Sequence, residues 1–372
     1  MRVIDVDTHL IEDGAVWNYL SKTDEEFRPS ILRKESGASI AAHFSGPTTR
    51  EYWVIDNYLY GKHDVEAIAK YSNGEMSAGA LTLADVPARL REMDGQGVDV
   101  QVIFSSLFLN VRCARPAAEL AVTRAYNRFV AERTASTGDR LRWIFVPSLK
   151  NPQETVRDLR WARDHGAVGV LFRGLEGDRF IDHPEFDPVF AAAIELDMPI
   201  CVHIGHGSPA METIAQREGA RFNRFISDSP NYFAFSVLLN SRLRETFPKL
   251  RVGFFESGCT WVAPAVQTAL HLRLTPAELR LRVSEITAEH DFYFTCELHE
   301  DLPALSACIG EDRLMLASDY GHPGDVADTI HHVRVVRDKN LVSPALQQRI
   351  LSDNVAKFLG LRPLKTRRQE RA

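Results

Sequence analysis

The sequence has few cysteines, and none of them stands in a metal-binding or redox spacing. The five cysteines are Cys113, Cys201, Cys259, Cys296 and Cys308. Their number is odd, no Cys-x-x-Cys pair occurs, and three of them lie in or next to apolar runs. These features exclude a disulfide scaffold and a thiolate metal site. We expect reduced, mostly buried thiols in a cytoplasmic protein.

Long apolar segments and an excess of basic residues are also missing. No uninterrupted apolar stretch is long enough to cross a bilayer, and no charged-then-apolar leader precedes Val3. The formal net charge of −6 at pH 7 argues against a nucleic-acid partner. The only basic run is at residues 363–372, which we predict to be a disordered tail. We therefore expect a small-molecule substrate and no membrane or nucleic-acid partner.

Short apolar runs alternate with amphipathic stretches along the chain. The runs are Arg2–His9, Asp99–Ser105, Leu141–Ser148, Ala167–Arg173, Pro199–Gly205, Arg251–Ser257, Asp291–Cys296 and Arg313–Asp319. They are too apolar to face water on one side, which is typical of strands covered on both faces. Strand followed by helix, repeated about eight times, predicts an α/β fold with a (β/α)₈ barrel over residues 1–362. A doubly wound open sheet is the alternative.

One segment, at about residues 13–80, is longer than a single crossover requires. It is rich in aromatic residues: Trp17, Tyr19, Phe27, Phe44, Tyr52, Trp53, Tyr58, Tyr60 and Tyr71. Loops that follow the carboxyl ends of barrel strands surround the active site, so we predict an insertion that forms a lid over the mouth. The alternative is a packing excursion around the outside of the barrel. An aromatic lid would suit a bulky, partly apolar substrate.

Polar side chains end several of the predicted strands. Asp7 and His9 are two residues apart on the first strand, so their side chains share one face. His203 lies in the fifth run and Asp319 ends the eighth. These four can converge at the carboxyl end of a barrel. Imidazole and carboxylate ligands with one open position suit Zn²⁺, Mn²⁺ or Fe²⁺.

Several motifs together resemble the amidohydrolase superfamily. They are DVDTHLIE, CVHIGHG and ASDYGHP, supported by LADVPARLREMDGQGVDVQVIF, FFESGCTWV and DNVAKFLGL. The resemblance is to the branch that contains aminocarboxymuconate-semialdehyde decarboxylase and related decarboxylases and hydrolases. It implies a barrel that binds a divalent metal through Asp7, His9, His203 and Asp319, with Asp319 also acting as general base or acid. One Zn²⁺ ion is the first expectation, with Mn²⁺, Fe²⁺ or a second ion as alternatives, and a homodimer is expected.

Two departures from the family pattern bear on the reaction. An acid, Asp7, stands where many members carry the first histidine of a His-x-His pair. Glu256 stands near the place where the well-studied decarboxylases have a histidine at the end of the sixth strand. We therefore expect hydrolysis of an amide, ester, thioester or lactone. Non-oxidative decarboxylation of an aromatic or unsaturated acid is the alternative.

Further polar residues at the predicted mouth complete the candidate site. Glu256 is a candidate catalytic acid, beside Asp319 and His203, or a ligand of a second ion together with His206. Arg173 could bind a substrate carboxylate or pair with a barrel acid such as Glu256. His206 and His322 are candidate substrate contacts, with a role in ordering the loops as the alternative.

Two other acids lie in or after the first strand. Asp5 shares the face of Asp7, and we predict that it is a hydrogen-bonded structural acid. Glu12 could either orient His9 or cap the start of a helix.

Overall fold

The computed structural model describes residues 1–34, 50–72, 75–111, 113–211, 214, 220–271, 282–322, 332–338 and 341–361. The predicted tail at 363–372 and Phe44 of the predicted insertion lie outside these residues. The prediction that residues 1–362 form one domain stays a prediction.

Strands and helices alternate through most of the described chain. The strands are β1 (Ile4–Leu10), β2 (Ser30–Arg33), β3 (Glu51–Ile55), β4 (Tyr58–Gly61), β5 (Val100–Ser105), β6 (Leu141–Phe145), β7 (Ala167–Arg173), β8 (Leu175–Glu176), β9 (Arg179–Phe180), β10 (Ile200–His203), β11 (Val252–Phe255), β12 (Phe292–Cys296) and β13 (Leu314–Leu316). The α-helices are α1 (Val65–Tyr71), α2 (Ala78–Leu81), α3 (Val86–Gln96), α4 (Pro116–Thr134), α5 (Pro152–Asp164), α6 (Asp187–Glu195), α7 (Ala220–Asn240), α8 (Leu243–Thr246), α9 (Val262–His271), α10 (Val283–Glu289), α11 (Leu302–Ile309), α12 (His332–Asp338), α13 (Pro344–Gln348) and α14 (Asn354–Leu359). Short 3₁₀ turns include Gly14–Tyr19 and Leu107–Leu109. None of the described helices combines the length and the apolarity needed to cross a bilayer.

Eight parallel strands form the barrel sheet, in the order β1-β5-β6-β7-β10-β11-β12-β13. Each strand pairs with the next barrel strand along the chain, as right-handed strand–helix units require. The β5 and β12 residues are all buried, because side chains on one face fill the barrel and those on the other pack against the helices. The predicted (β/α)₈ barrel is confirmed, and its carboxyl-terminal strand ends form the mouth.

The barrel is closed between β1 and the chain that follows β13, mainly by polar contacts. His9 N donates to the Tyr320 carbonyl at 2.6 Å, and Asp319 N donates to the Asp7 carbonyl at 3.1 Å. The fully buried Asp5 carboxylate accepts from Ser318 N at 2.9 Å and from Ser318 Oγ at 2.5 Å. Burial raises the pKa of Asp5 to about 7, although the Ser318 hydrogen bonds oppose that shift. Asp5 therefore clamps the last strand to the first.

The insertion contains the antiparallel sheet β2-β3-β4 followed by α1 and α2. Trp17 and Trp53 pack edge to face with 5.6 Å between ring centroids, and Tyr19 packs on Phe129 of α4 at 5.5 Å. These aromatic rings therefore stabilise the insertion and its contact with the outer helix layer, as the packing alternative describes. The lid over the mouth stays a prediction, and one described residue that bears on it, His63, is considered below.

Glu12 caps a turn at the mouth and makes no hydrogen bond to His9. The Ser105 hydroxyl donates to one Glu12 oxygen, and Leu107 N donates to the other at 2.9 Å. Leu107 begins the 3₁₀ turn that follows β5. Glu12 therefore caps the start of this turn, which is the second of the two roles considered for it. Burial raises the pKa of Glu12 to about 7, against the lowering effect of these two hydrogen bonds.

The Asp5–Ser318 clamp can be tested with Ser318→Ala. This change removes one of the two donors to a buried carboxylate, so we expect the free energy of unfolding to fall by about 1–3 kcal/mol. The measurement is urea unfolding of the metal-free protein. The control is Ser306→Ala. The Ser306 hydroxyl is also buried, but it donates only to the Pro303 carbonyl within α11 and not to a carboxylate. Equal losses in the two variants would contradict a special role for the clamp.

The buried Glu12 predicts a pH-dependent stability difference between wild type and Glu12→Gln. Because the folded-state pKa is raised, the native protein holds this proton more tightly than the unfolded chain does. The stability of wild type relative to Glu12→Gln should therefore fall by about 3 kcal/mol as the pH rises from about 4.5 to 7. Urea unfolding at several pH values measures this, with the exposed Glu66→Gln as control. A difference between wild type and Glu12→Gln that does not vary with pH would refute the assignment.

Candidate metal centre

Asp7, His9 and His203 meet at the mouth of the barrel, and all three are buried. Asp7 lies between the two imidazoles, with Oδ1 3.4 Å from His9 Nε2 and Oδ2 3.2 Å from His203 Nε2. One ligand-capable atom from each residue lies within 4.8 Å of the other two. Neighbouring ligands of one first-row ion are separated by about 3 to 3.5 Å when each is about 2.1 Å from the metal.

Two carboxylates approach the same group of atoms from other strands. Asp319 Oδ1 is 3.1 Å from His9 Nε2, and Glu256 Oε2 is 3.6 Å from His203 Nε2. Glu256, Asp319, His9 and His322 form a second group of ligand-capable atoms within 4.8 Å. Because His9 belongs to both groups, they describe one cluster. The structure thus brings the four predicted ligands together and adds Glu256 beside them, while their role as ligands stays a prediction.

Several buried polar atoms of the cluster have no hydrogen-bond partner among the described residues. They are Asp7 Oδ1, both ring nitrogens of His9, His203 Nε2 and Asp319 Oδ1. Burying such atoms without partners is costly, so the donor set fits a bound cation. His203 Nδ1 lies 3.0 Å from the Ile204 carbonyl. A carbonyl can only accept, so Nδ1 carries the proton and the lone pair of Nε2 faces the cluster.

The cluster residues set one another's charges. Burial raises the pKa of Asp7, but His203 and His9 outweigh it and hold that pKa well below its ordinary value. Burial lowers the pKa of His9, but Asp319 and Asp7 outweigh it and raise that pKa to about 10. For Asp319, His322 and His9 outweigh burial and lower the pKa. A divalent ion would replace the His9 proton as the positive charge among these carboxylates.

Glu256 and Asp319 both adopt a left-handed backbone conformation, with φ of 60° and 53°. This conformation is uncommon for residues other than glycine and is frequent at functional sites. Hydrogen bonds from the neighbouring barrel strands hold it in place. Glu256 N donates to Thr295 Oγ1 at 2.9 Å, and Asp319 N donates to the Asp7 carbonyl at 3.1 Å. The fold therefore tolerates strain at the two positions where carboxylates approach the imidazoles.

His322 lies directly beside Asp319. Its Nδ1 is 3.2 Å from Asp319 Oδ1, and its Nε2 is 2.8 Å from Ser106 Oγ. The ring stacks on His9 with 3.7 Å between centroids and 25° between planes. His63, from the insertion, stacks on the far side of this pair, 5.7 Å from the His322 centroid at 28°. The sequence analysis missed His63, because no strand end or ligand spacing marks it.

Arg173, predicted to bind a substrate carboxylate, pairs with Glu176 instead of Glu256. Arg173 Nε is 3.0 Å from Glu176 Oε2, and Nη1 donates to the Val111 carbonyl at 2.7 Å. A substrate carboxylate would therefore have to compete with Glu176. A small, partly open cleft lies beside this pair and is also lined by Glu119, but by none of the cluster residues.

His206 lies in a buried loop after β10, outside the cluster. Its Nε2 is 3.0 Å from Ser227 Oγ, and its backbone N donates to Asn110 Oδ1 at 3.2 Å. Neither group of ligand-capable atoms found among the described residues contains it. These contacts order the loops at the mouth, and a substrate contact by His206 stays a prediction.

Comparisons with known proteins agree with this architecture. An amidohydrolase from Mycobacterium avium subsp. paratuberculosis K-10 is 20% identical, with a TM-score of 0.73 over 96% of this chain and 99% of that one. A 2,6-dihydroxybenzoate decarboxylase from Rhizobium is 16% identical, with a TM-score of 0.62 over 97% and 99%. A 5-carboxyvanillate decarboxylase from Novosphingobium aromaticivorans DSM 12444, in complex with manganese and 4-hydroxy-3-methoxy-5-nitrobenzoic acid, is 16% identical, with a TM-score of 0.63 over 97% and 96%.

The three solved structures share the fold of this chain. The family is identified by a sequence model of a protein family. The model, described as amidohydrolase, matches residues 4–361, from the start of β1 to the end of the last described segment. The chain therefore belongs to the amidohydrolase family of metal-dependent enzymes.

Proposed function

We propose that the protein is a metal-dependent hydrolase that attacks a carboxylic-acid derivative, such as an amide, ester, thioester or lactone, with an activated water. One observation carries the proposal. Asp319 Oδ1 lies 3.1 Å from His9 Nε2 and 3.2 Å from His322 Nδ1, and the side chain keeps 21% of its surface exposed. A partly accessible carboxylate between a candidate ligand and a second imidazole is placed to accept and return a proton.

Asp7, His9, His203 and Asp319 would hold one divalent ion, with Glu256 within reach as a fifth group. The ion would supply Lewis acidity, which polarises a carbonyl oxygen and lowers the pKa of water. Two imidazoles with up to three carboxylates form an oxygen-rich donor set. Mn²⁺ and Fe²⁺ prefer such a set to one made mainly of histidines or of thiolates. We therefore propose Mn²⁺ or Fe²⁺ ahead of the Zn²⁺ first expected, in line with the manganese bound by the Novosphingobium decarboxylase.

Asp319 and His322 would carry the proton transfers. Burial lowers the pKa of His322, so its ring is neutral near pH 7 and holds one proton. With that proton on Nδ1, 3.2 Å from Asp319 Oδ1, the N–H edge of His322 faces the carboxylate, and Nε2 accepts from the Ser106 hydroxyl. Asp319 is then fixed and ionised, takes a proton from the attacking water and delivers it to the leaving group.

The charges around the cluster favour a neutral substrate. Glu256 adds a carboxylate where the family resemblance would place a histidine in decarboxylases. Arg173 is already paired with Glu176. An anionic substrate would therefore be repelled by several carboxylates, and Arg173 would not be available to offset that repulsion because it pairs with Glu176. Decarboxylation is the second candidate, and the fold shared with 2,6-dihydroxybenzoate and 5-carboxyvanillate decarboxylases supports it.

The ligand assignment predicts that His203→Ala abolishes tight metal binding. Wild type, purified and dialysed, should retain about one ion per chain, and the variant much less than that. Elemental analysis by mass spectrometry measures both the amount and the identity of the metal. The control is His165→Ala, which removes a stacked histidine from the outer helix layer, where it packs on Trp161. Full metal content in His203→Ala would show that the ligand set is wrong.

The reaction class can be tested with a panel of esters, thioesters, anilides, lactones and aromatic acids, with CO₂ detected alongside hydrolysis. We expect hydrolysis without CO₂ release. Asp319→Asn should lower kcat by about 10²-fold or more, because the proton acceptor is lost. Its metal content is measured in parallel, since Asp319 is also a proposed ligand. Asp338→Asn, an exposed change on α12, is the control. CO₂ release that disappears in Asp319→Asn would overturn the hydrolase in favour of the decarboxylase.

A further inference from the structure

Among the described residues of the insertion, His63 brings its imidazole close to the candidate metal centre. His63 follows β4, and its ring lies 5.7 Å from the His322 ring, which in turn lies 3.7 Å from His9. The interplanar angles are 28° and 25°, so the His322 ring is roughly parallel to each of the other two. His9 belongs to the candidate ligand set, and His63 is therefore only one ring removed from a ligand.

The backbone on both sides of His63 is anchored. β4 pairs with β3, and the neighbouring Lys62 forms an ion pair with Glu51 at 2.8 Å. On the other side, the Asp64 carboxylate accepts from Ala67 N at 3.0 Å and caps the first turn of α1. A residue between a paired strand and a capped helix keeps its position. His63 is thus a fixed part of the mouth.

The segment that carries His63 reaches two opposite sides of the mouth. Burial lowers the pKa of Arg173, and Glu176 outweighs burial and raises that pKa above its ordinary value. Tyr60, on β4, adds a smaller effect in the same direction as Glu176. Arg173 ends the fourth barrel strand, whereas His322 follows the eighth. In an eight-stranded barrel these strands face each other across the axis. Tyr60 and His63 therefore interact with groups on opposite sides of the mouth, Arg173 and His322.

We propose that His63 is a specificity-determining residue whose ring forms the outer wall of the substrate pocket and packs against a planar group next to the scissile carbonyl. This inference rests on the proposed function in that it requires substrate to bind at the metal centre. His63 as a whole residue is half-buried. Burial lowers its pKa to about 3, with His322 and His9 adding to the shift, so the ring is neutral. A neutral aromatic wall selects by shape and stacking rather than by charge.

The test compares two probes that bind divalent ions through the same hydroxamate group. Benzohydroxamate carries a planar ring, and acetohydroxamate carries a methyl group. Their dissociation constants are measured by calorimetry on the Mn²⁺-loaded protein for wild type, His63→Ala and His63→Phe. His63→Asn is a second variant without a ring, and His165→Ala is the control for a stacked histidine elsewhere on the chain.

We expect His63→Ala and His63→Asn to weaken benzohydroxamate by about 10-fold and acetohydroxamate by less than about 2-fold. His63→Phe keeps a planar ring and should restore benzohydroxamate to within about 3-fold of wild type. Equal weakening of both probes, no weakening of either, or no binding of either to wild type would overturn the proposal. A different result would contradict the proposed hydrolase activity. If no panel compound is hydrolysed but the His63 variants still bind benzohydroxamate selectively more weakly, the proposed role of His63 stands.

Discussion

The closure of the barrel between β1 and the end of β13 is the contact on which the candidate site depends. β13 is only three residues long, so few ladder hydrogen bonds can hold it to β1. The Asp5 carboxylate, which accepts from both Ser318 N and Ser318 Oγ, supplies much of the missing attachment. One residue later, Asp319 N bonds to the Asp7 carbonyl. The same closure that completes the barrel therefore places the Asp319 carboxylate against His9.

A buried cation supports this closure from the helix layer. Arg89 of α3 is fully buried, donates to Gln101 Oε1 at 2.6 Å and to the His9 carbonyl at 3.2 Å, and lies 3.6 Å from the Tyr320 ring centroid. Its charge lowers the pKa of Asp5 and so partly offsets the effect of burial there. Removing Arg89 would leave the buried Asp5 carboxylate with less compensation. Charges that lie outside the predicted ligand set thus keep β1 and its ligands in position.

Local sequence patterns were enough to predict the barrel and the four converging ligand candidates. Apolar runs covered on both faces mark the strands, and the two-residue spacing of Asp7 and His9 fixes their common face. Two other features were not predicted. Arg173 pairs with Glu176, across a turn, rather than with the more distant acid considered, Glu256. His63 lies beside His322, far away in the sequence, and this tertiary contact is not contained in any local pattern.

Glu256 connects these observations to the reaction. A left-handed backbone turns the end of β11 so that this carboxylate comes within 3.6 Å of His203 Nε2. With Asp7 and Asp319 it makes three carboxylates around the proposed divalent ion, so the centre would have no excess positive charge to attract an anion. The same carboxylates would weaken the Lewis acidity of the ion. Substrate binding must then come from the surrounding walls, and the anchored ring of His63 is one wall that needs no charge to contribute.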